Sequence, residues 1–148
     1  MMDNGFPPAV QLVPHRGRAL LIDAVLEATP ESIWVAAQIT RDHPYFVTAH
    51  GVPSWVGIEL MAQAAAAHAG LNVCRTHNTP RGGMLLGTRR YRAIVAYFAE
   101  GAQLEIFARR EFNAESGLAA CACKISGDGN TLAEATLIVM ETGAENAL

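Results

Sequence analysis

The segment Gly51-Val-Pro-Ser-Trp-Val-Gly-Ile-Glu-Leu-Met-Ala-Gln-Ala-Ala-Ala-Ala-His-Ala-Gly70 constrains the fold more than any other part of the chain. Pro53 breaks the preceding chain, Ser54 offers an N-cap oxygen, the alanine run favours helix, and Gly70 supplies a C-terminal stop. Together they predict a helix from Trp55 to Gly70. Ile58, Met61, Ala62, Ala65, Ala66 and Ala69 recur at three- and four-residue steps, and much of the opposite face is also small or apolar. Such a helix is expected to be enclosed on nearly all sides. At roughly 16 residues, and with Glu59, Gln63 and His68 inside it, it falls short of the ~20 apolar residues that a membrane span needs. Glu59 is therefore either a carboxylate satisfied by a neighbouring strand or a dimer partner, or a working group of a site.

A helix this apolar requires a sheet to wrap it, and the rest of the chain supplies strands. Ala19 to Glu27 and Ser32 to Ile39 read as two strands around the turn-like Thr29-Pro30-Glu31, and His43 to Gly51 as a loop. Beyond the helix, Arg75 to Gly83 is polar and reads as an exposed connection. Met84 to Ala93, Gln103 to Phe112, Gly117 to Ser126 and Leu132 to Glu141 read as four more strands, with Gly127-Asp128-Gly129-Asn130 as a strong turn. Two strands, one long helix and then consecutive antiparallel strands predict an α+β domain whose sheet curls around the helix. The open edges of such a sheet favour pairing with a second copy.

The 148 residues are expected to form a single domain over residues 1–148, and 51% hydrophobic content suffices for a sizeable core. A formal net charge of −3 argues against nucleic-acid binding, which needs a clustered positive field. Arg81, Arg89, Arg90 and Arg92 form the nearest thing to a basic cluster, a solvated strand edge or a docking point for an acidic partner. No cationic start followed by an apolar run marks Met1 to Pro14, so a cytoplasmic location is expected. Cys121 and Cys123 alternate with alanines and should share one face of a strand. With Cys74 they make neither a disulfide framework nor a zinc spacing, and neither metal nor cofactor is expected.

Several of these segments resemble a known family. Leu12-Val-Pro-His-Arg16 followed by Ala19-Leu-Leu-Ile-Asp23 is similar to the opening of the bacterial β-hydroxyacyl-acyl carrier protein dehydratases. Glu59-Leu-Met-Ala-Gln63 is similar to their helical E-x-x-A-Q motif, and Met84-Leu-Leu-Gly-Thr88 and Glu100-Gly-Ala-Gln-Leu104 to their strand signatures. Within that superfamily, Gly51 to Glu59 looks closest to the dehydratase-like proteins of aryl polyene biosynthesis clusters. The resemblance implies a hotdog fold, a homodimer or heterodimer with another hotdog subunit, and a phosphopantetheine-linked acyl chain delivered by acyl carrier protein. A non-catalytic or half-catalytic subunit, and a hotdog thioesterase, are the competing readings.

Loss of water from a 3-hydroxyacyl thioester needs one group to take the proton beside the carbonyl and another to protonate the departing hydroxyl. The resemblance gives the acid to Glu59, whose apolar neighbours would favour its protonated form. Gln63, one turn on, would hold either the Glu59 carboxyl or a substrate oxygen. Backbone N–H groups at the helix start, around Ser54 and Trp55, would polarise the thioester carbonyl. His50, in the loop Pro44-Tyr-Phe-Val-Thr-Ala-His50 that resembles the family's lead-in, is the candidate base, with an incidental loop histidine as the alternative. His15 is expected to be structural or to line the substrate channel, His43 to compete weakly with His50, His68 to be a satisfied core or interface group, and His77 to lie in a loop. Phe46, Trp55, Tyr45 and Met84 are candidate walls for the acyl chain, with plain core packing as the alternative.

Overall fold

The computed structural model describes residues 4–76 and 82–142; of the connection expected over Arg75 to Gly83, residues 77–81, with His77, lie outside them, and its two ends belong to a helix and a strand. A short helix α1 (Ala9–Leu12) and a 3-10 turn (Gly17–Ala19) lead into strands β1 (Ala24–Ala28) and β2 (Ser32–Gln38). A two-residue strand β3 (Val52–Pro53) and a second 3-10 turn (Ser54–Val56) then open the long helix α2 (Gly57–Thr76). The chain closes with β4 (Gly82–Ala93), the two-residue β5 (Tyr97–Phe98), β6 (Gln103–Asn113), β7 (Leu118–Gly127) and β8 (Asn130–Thr142). The six long strands form one sheet in the order β1-β2-β6-β7-β8-β4, every neighbouring pair antiparallel. The sheet wraps α2, as expected of a hotdog fold, and β3 pairs with β5 at the start of the helix.

Alternation does the folding work in the sheet. In β2 the buried residues are Ile33, Val35 and Ala37, and in β7 they are Ala119, Cys121, Cys123 and Ile125, so both cysteines share the inner face. Apart from Ala119, these rows meet Leu60, Met61, Ala64, Ala67 and Leu71 of α2 in one core. Successive inner-face side chains standing on a period of two against a helical stripe on a period of 3.6 is the geometry that excludes water from both.

Three features differ from expectation. The helix runs past Gly70 to Thr76, because Gly70 is a close approach rather than a stop: a Cβ there would collide with the backbone carbonyl of Leu12. The helix is also not enclosed all round. Ile58, Glu59, Ala62, Ala65, Ala66 and Ala69 are half-exposed, while the core stripe is buried. The first strand begins at Ala24 rather than Ala19, since Gly17–Ala19 is a 3-10 turn and the polar groups of Ala19 and Leu21 are bound elsewhere.

Candidate functional site

The helix carboxyl is held from two directions. Glu59, third residue of α2, accepts at Oε1 from Gln63 Nε2 at 3.0 Å and lies 3.2 Å from His15 Nε2. Its side chain is still 43% exposed, so the desolvation expected of it is not supplied by its own subunit.

Gln63 is fully buried. Its Oε1 accepts the Leu21 N–H at 2.8 Å, and its Nε2 donates to Ala19 O at 2.8 Å as well as to Glu59. A backbone donor on one side and a backbone acceptor on the other fix which end of the amide faces Glu59. Of the two partners expected for Gln63, the Glu59 carboxyl or a substrate oxygen, the hydrogen bonds are to the carboxyl, and the rest of the amide is engaged by the backbone of residues 19–21.

His15 is placed by its neighbour. Arg16 Nη1 donates to the carbonyls of Val13 at 2.7 Å and His15 at 2.8 Å, pinning the backbone so that the imidazole points toward α2. His15 Nδ1 is buried and has no hydrogen-bond partner among the described residues. At 3.2 Å the Nε2 atom is within reach of Glu59 Oε1 and is the ring nitrogen that can donate to it. His15 is therefore more closely tied to the helix acid than its motif suggested.

His50 stands apart. A tight turn closes with Val47 N to Gly51 O at 2.7 Å and Gly51 N to Val47 O at 3.0 Å, with Ala49 at φ 70° and Gly51 at φ 116°. Gly51 is required there, because a Cβ would run into the carbonyl of Phe98. The turn leaves His50 exposed and stacked on Tyr97, with ring centroids 5.0 Å apart. Its ring contact is with Tyr97, not with Glu59.

At the helix start, Ser54 donates its N–H to Ala96 O at 2.9 Å, so that amide is not free for a substrate carbonyl, contrary to expectation. Trp55 is 60% exposed, with Tyr45 packed on it in a T-shaped pair. Phe46 packs half-buried against the core. His43 accepts the Tyr45 N–H at Nδ1, and burial, then the nearby Arg18, lower its pKa from 6.5. His68 sits 4% exposed with Nε2 2.9 Å from Thr29 O, its pKa lowered chiefly by burial, as a satisfied core histidine should be. No cluster of metal-binding side chains is found among the described residues. No described helix is long and apolar enough to cross a membrane.

The arrangement offers one carboxyl, anchored through one oxygen, on an alanine-lined helix face that the sheet covers only in part. Comparison with known proteins sharpens this. Residues 7–148 match the ApeP-like family, described as ApeP dehydratase. Among solved structures, the dehydratase heterocomplex ApeI:P from Xenorhabdus doucetiae is 25% identical, covering 95% of this chain and 94% of that chain at a TM-score of 0.87. A hypothetical thioesterase with coenzyme A from Streptococcus pneumoniae TIGR4 is 12% identical, covering 80% and 84%, with a TM-score of 0.64. The PaaI protein from the phenylacetic acid degradation operon of E. coli is also 12% identical, covering 79% and 81%, with a TM-score of 0.61. The last two show the shared fold alone. No curated protein matches the chain.

Proposed function

The chain belongs to the ApeP-like dehydratase family, and from that premise we propose that it dehydrates a 3-hydroxyacyl thioester on acyl carrier protein to the 2-enoyl thioester, in fatty acid or polyene chain building, as one subunit of a hotdog pair. The observation that carries this reading is the Glu59 carboxyl, held at Oε1 by Gln63 and His15 while its side chain stays open. Two donors on Oε1 leave Oε2 as the oxygen that carries the proton and gives it to the C3 hydroxyl. A base removes the C2 proton, the C2–C3 double bond forms from that electron pair, and water departs from C3.

His50 is the proposed base. Its exposure on the loop beside β3 suits a site completed by a second subunit, where it would reach a carboxyl that is not its own. The half-exposed face of Ile58, Ala62, Ala65 and Ala66 supports such pairing, since a second subunit would cover it and dry the carboxyl. With the Ser54 amide engaged, the carbonyl-polarising role passes to the Trp55 amide, and the Trp55 ring, with Tyr45 packed on it, would flank the acyl chain, as would Phe46.

A second reading, in which this chain contributes Glu59 and the partner contributes the histidine, is favoured by the similarity to a dehydratase heterocomplex. The test is turnover of a 3-hydroxyacyl-acyl carrier protein by this chain alone and with a second hotdog dehydratase subunit. Glu59→Gln should lose activity in both settings. His50→Asn should abolish it if His50 is the base and leave it intact in the heteromeric pair if the partner supplies the histidine. Wild-type turnover by Glu59→Gln would sink the assignment of the acid.

A further inference from the structure

We propose that Tyr91 is a positioning residue of this site, whose hydroxyl, donating to the Ser54 carbonyl, fixes the turn that enters α2 and so the aim of the Trp55 amide and of Glu59. The proposal deepens the dehydratase reading and rests on it for its kinetic arm.

The sheet delivers Tyr91 by a defect in pairing. β4 runs opposite β8 as far as Arg89, which faces Thr136, and resumes at Arg92, which faces Glu134. Arg90 and Tyr91 together therefore oppose a single residue, a β-bulge, and Arg90 takes a left-handed φ of 56°. Such a bulge bends an edge strand and re-aims a side chain, and here the redirected side chain is Tyr91, half-buried against the core. Its hydroxyl donates to the Ser54 carbonyl. Burial raises its pKa, which keeps it in the protonated form that can donate.

The contact is more than incidental filling, because the Ser54 peptide unit is gripped on several sides. Its N–H donates to Ala96 O at 2.9 Å, and its carbonyl also receives the Gly57 N–H at the first position of α2. Gly57 completes the fit: a Cβ there would collide with the Tyr91 hydroxyl and press on Ile125 Cδ1 at 3.0 Å. The phenol thus touches the helix at its first residue, two positions before Glu59. A turn held this way presents its amide and the acid in a set relation to each other, which is what catalysis by positioned groups requires.

Tyr91→Phe keeps the ring and removes the donor. In the full chain, paired with its hotdog partner if activity needs one, turnover of a 3-hydroxyacyl-pantetheine thioester should fall about five- to tenfold in kcat with KM changed less than about twofold, the pattern of a lost transition-state alignment. Amide hydrogen exchange at Trp55 to Gly57 should rise by a similar factor while amides of β7 keep wild-type protection. Gly57→Ala should be better tolerated in the Tyr91→Phe background than alone, because the phenol oxygen is the nearest atom in the way. Unchanged kcat, exchange that rises uniformly through the sheet, or equal cost of Gly57→Ala in both backgrounds would each overturn the proposal. If the wild type shows no dehydration, the dehydratase reading fails, and the exchange and coupling measurements still decide the role of Tyr91.

Discussion

Replacing Gln63 separates its two tasks, because the amide binds the backbone of the 19–21 segment as well as Glu59. In Gln63→Leu the Leu21 N–H loses a buried acceptor and Ala19 O loses a donor. An orphaned buried group costs about 1–3 kcal/mol, and the oxygen of the exposed Ala19 should fall at the lower end, about 1 kcal/mol. Leucine regains about 1 kcal/mol by burying apolar surface, leaving a net loss of about 1–3 kcal/mol. Gln63→Glu has the same shape but a different pH behaviour. Ionised, the introduced carboxyl can accept from Leu21, yet its second oxygen meets the Ala19 carbonyl and the Glu59 carboxyl, so the folded state favours its protonated form. A group with a raised folded pKa contributes stability that is present below its unfolded value and lost as pH rises through the folded one. The deficit of Gln63→Glu against the wild type should therefore shrink as pH is lowered from 7 toward 4, while that of Gln63→Leu stays flat. Urea unfolding at each pH, with m-values held equal, measures both deficits. A loss below about 0.5 kcal/mol in Gln63→Leu, or parallel pH profiles for the two variants, would refute the network.

Gly70→Ala should lower the melting temperature, although helix propensity alone favours alanine by about 1 kcal/mol, because the added Cβ meets the Leu12 carbonyl; a raised melting temperature would refute the close approach. His15→Ala, measured in the dehydration assay, should reduce kcat about tenfold with little change in KM by freeing the Glu59 carboxyl, and His15→Gln should restore part of it by donating again; an unaltered kcat in His15→Ala would count against the pairing. His43 and His68 both have folded pKa values lowered from 6.5, mainly by burial. Their contribution to stability is present above that value and lost as pH falls below it, so denaturant midpoints should drop between about pH 6.5 and pH 5, less steeply in His68→Gln; identical profiles would remove His68 from the account.

The strands were legible because their signal is local. The alternation of Ala119, Cys121, Cys123 and Ile125 is written in the sequence itself, and the observed β7 (Leu118–Gly127) is shifted by one residue at each end from the expected Gly117 to Ser126. The helix was legible in kind and wrong in extent, since the reason Gly70 does not end it is the carbonyl of Leu12, a tertiary neighbour that no helix-end rule contains. The helix's half-open face was likewise hidden: apolar composition says that a face wants cover, not which chain provides it. In the site, Glu59 and Gln63 are visible as a pair because one helical turn separates them. His15 and Tyr91 were not, because each reaches the helix from another element, His15 through the Arg16 clamp and Tyr91 through a bulge that sequence alternation does not announce.

The structure departs from the full strand expected over Ala19–Glu27 for a reason that bears on the site itself. Leu21 offers its N–H and Ala19 its carbonyl, the groups a strand would place on a ladder, and Gln63 takes both with one side chain. A glutamine amide, carrying a carbonyl and an N–H in one plane, can replace a short piece of strand. Its remaining N–H then faces Glu59, while the same stretch of chain, pinned by Arg16, sends His15 to the same oxygen. The opening Pro14-His15-Arg16 with Leu20-Leu21 and the helical Glu59 with Gln63 are thus two sides of one hydrogen-bond network. Orientation of the acid comes from the segment that precedes the first strand, together with the helix-entry turn that Tyr91 holds, and not from the loop that carries His50. Changes in that loop should therefore leave Glu59 in place, and changes near Arg16 should not.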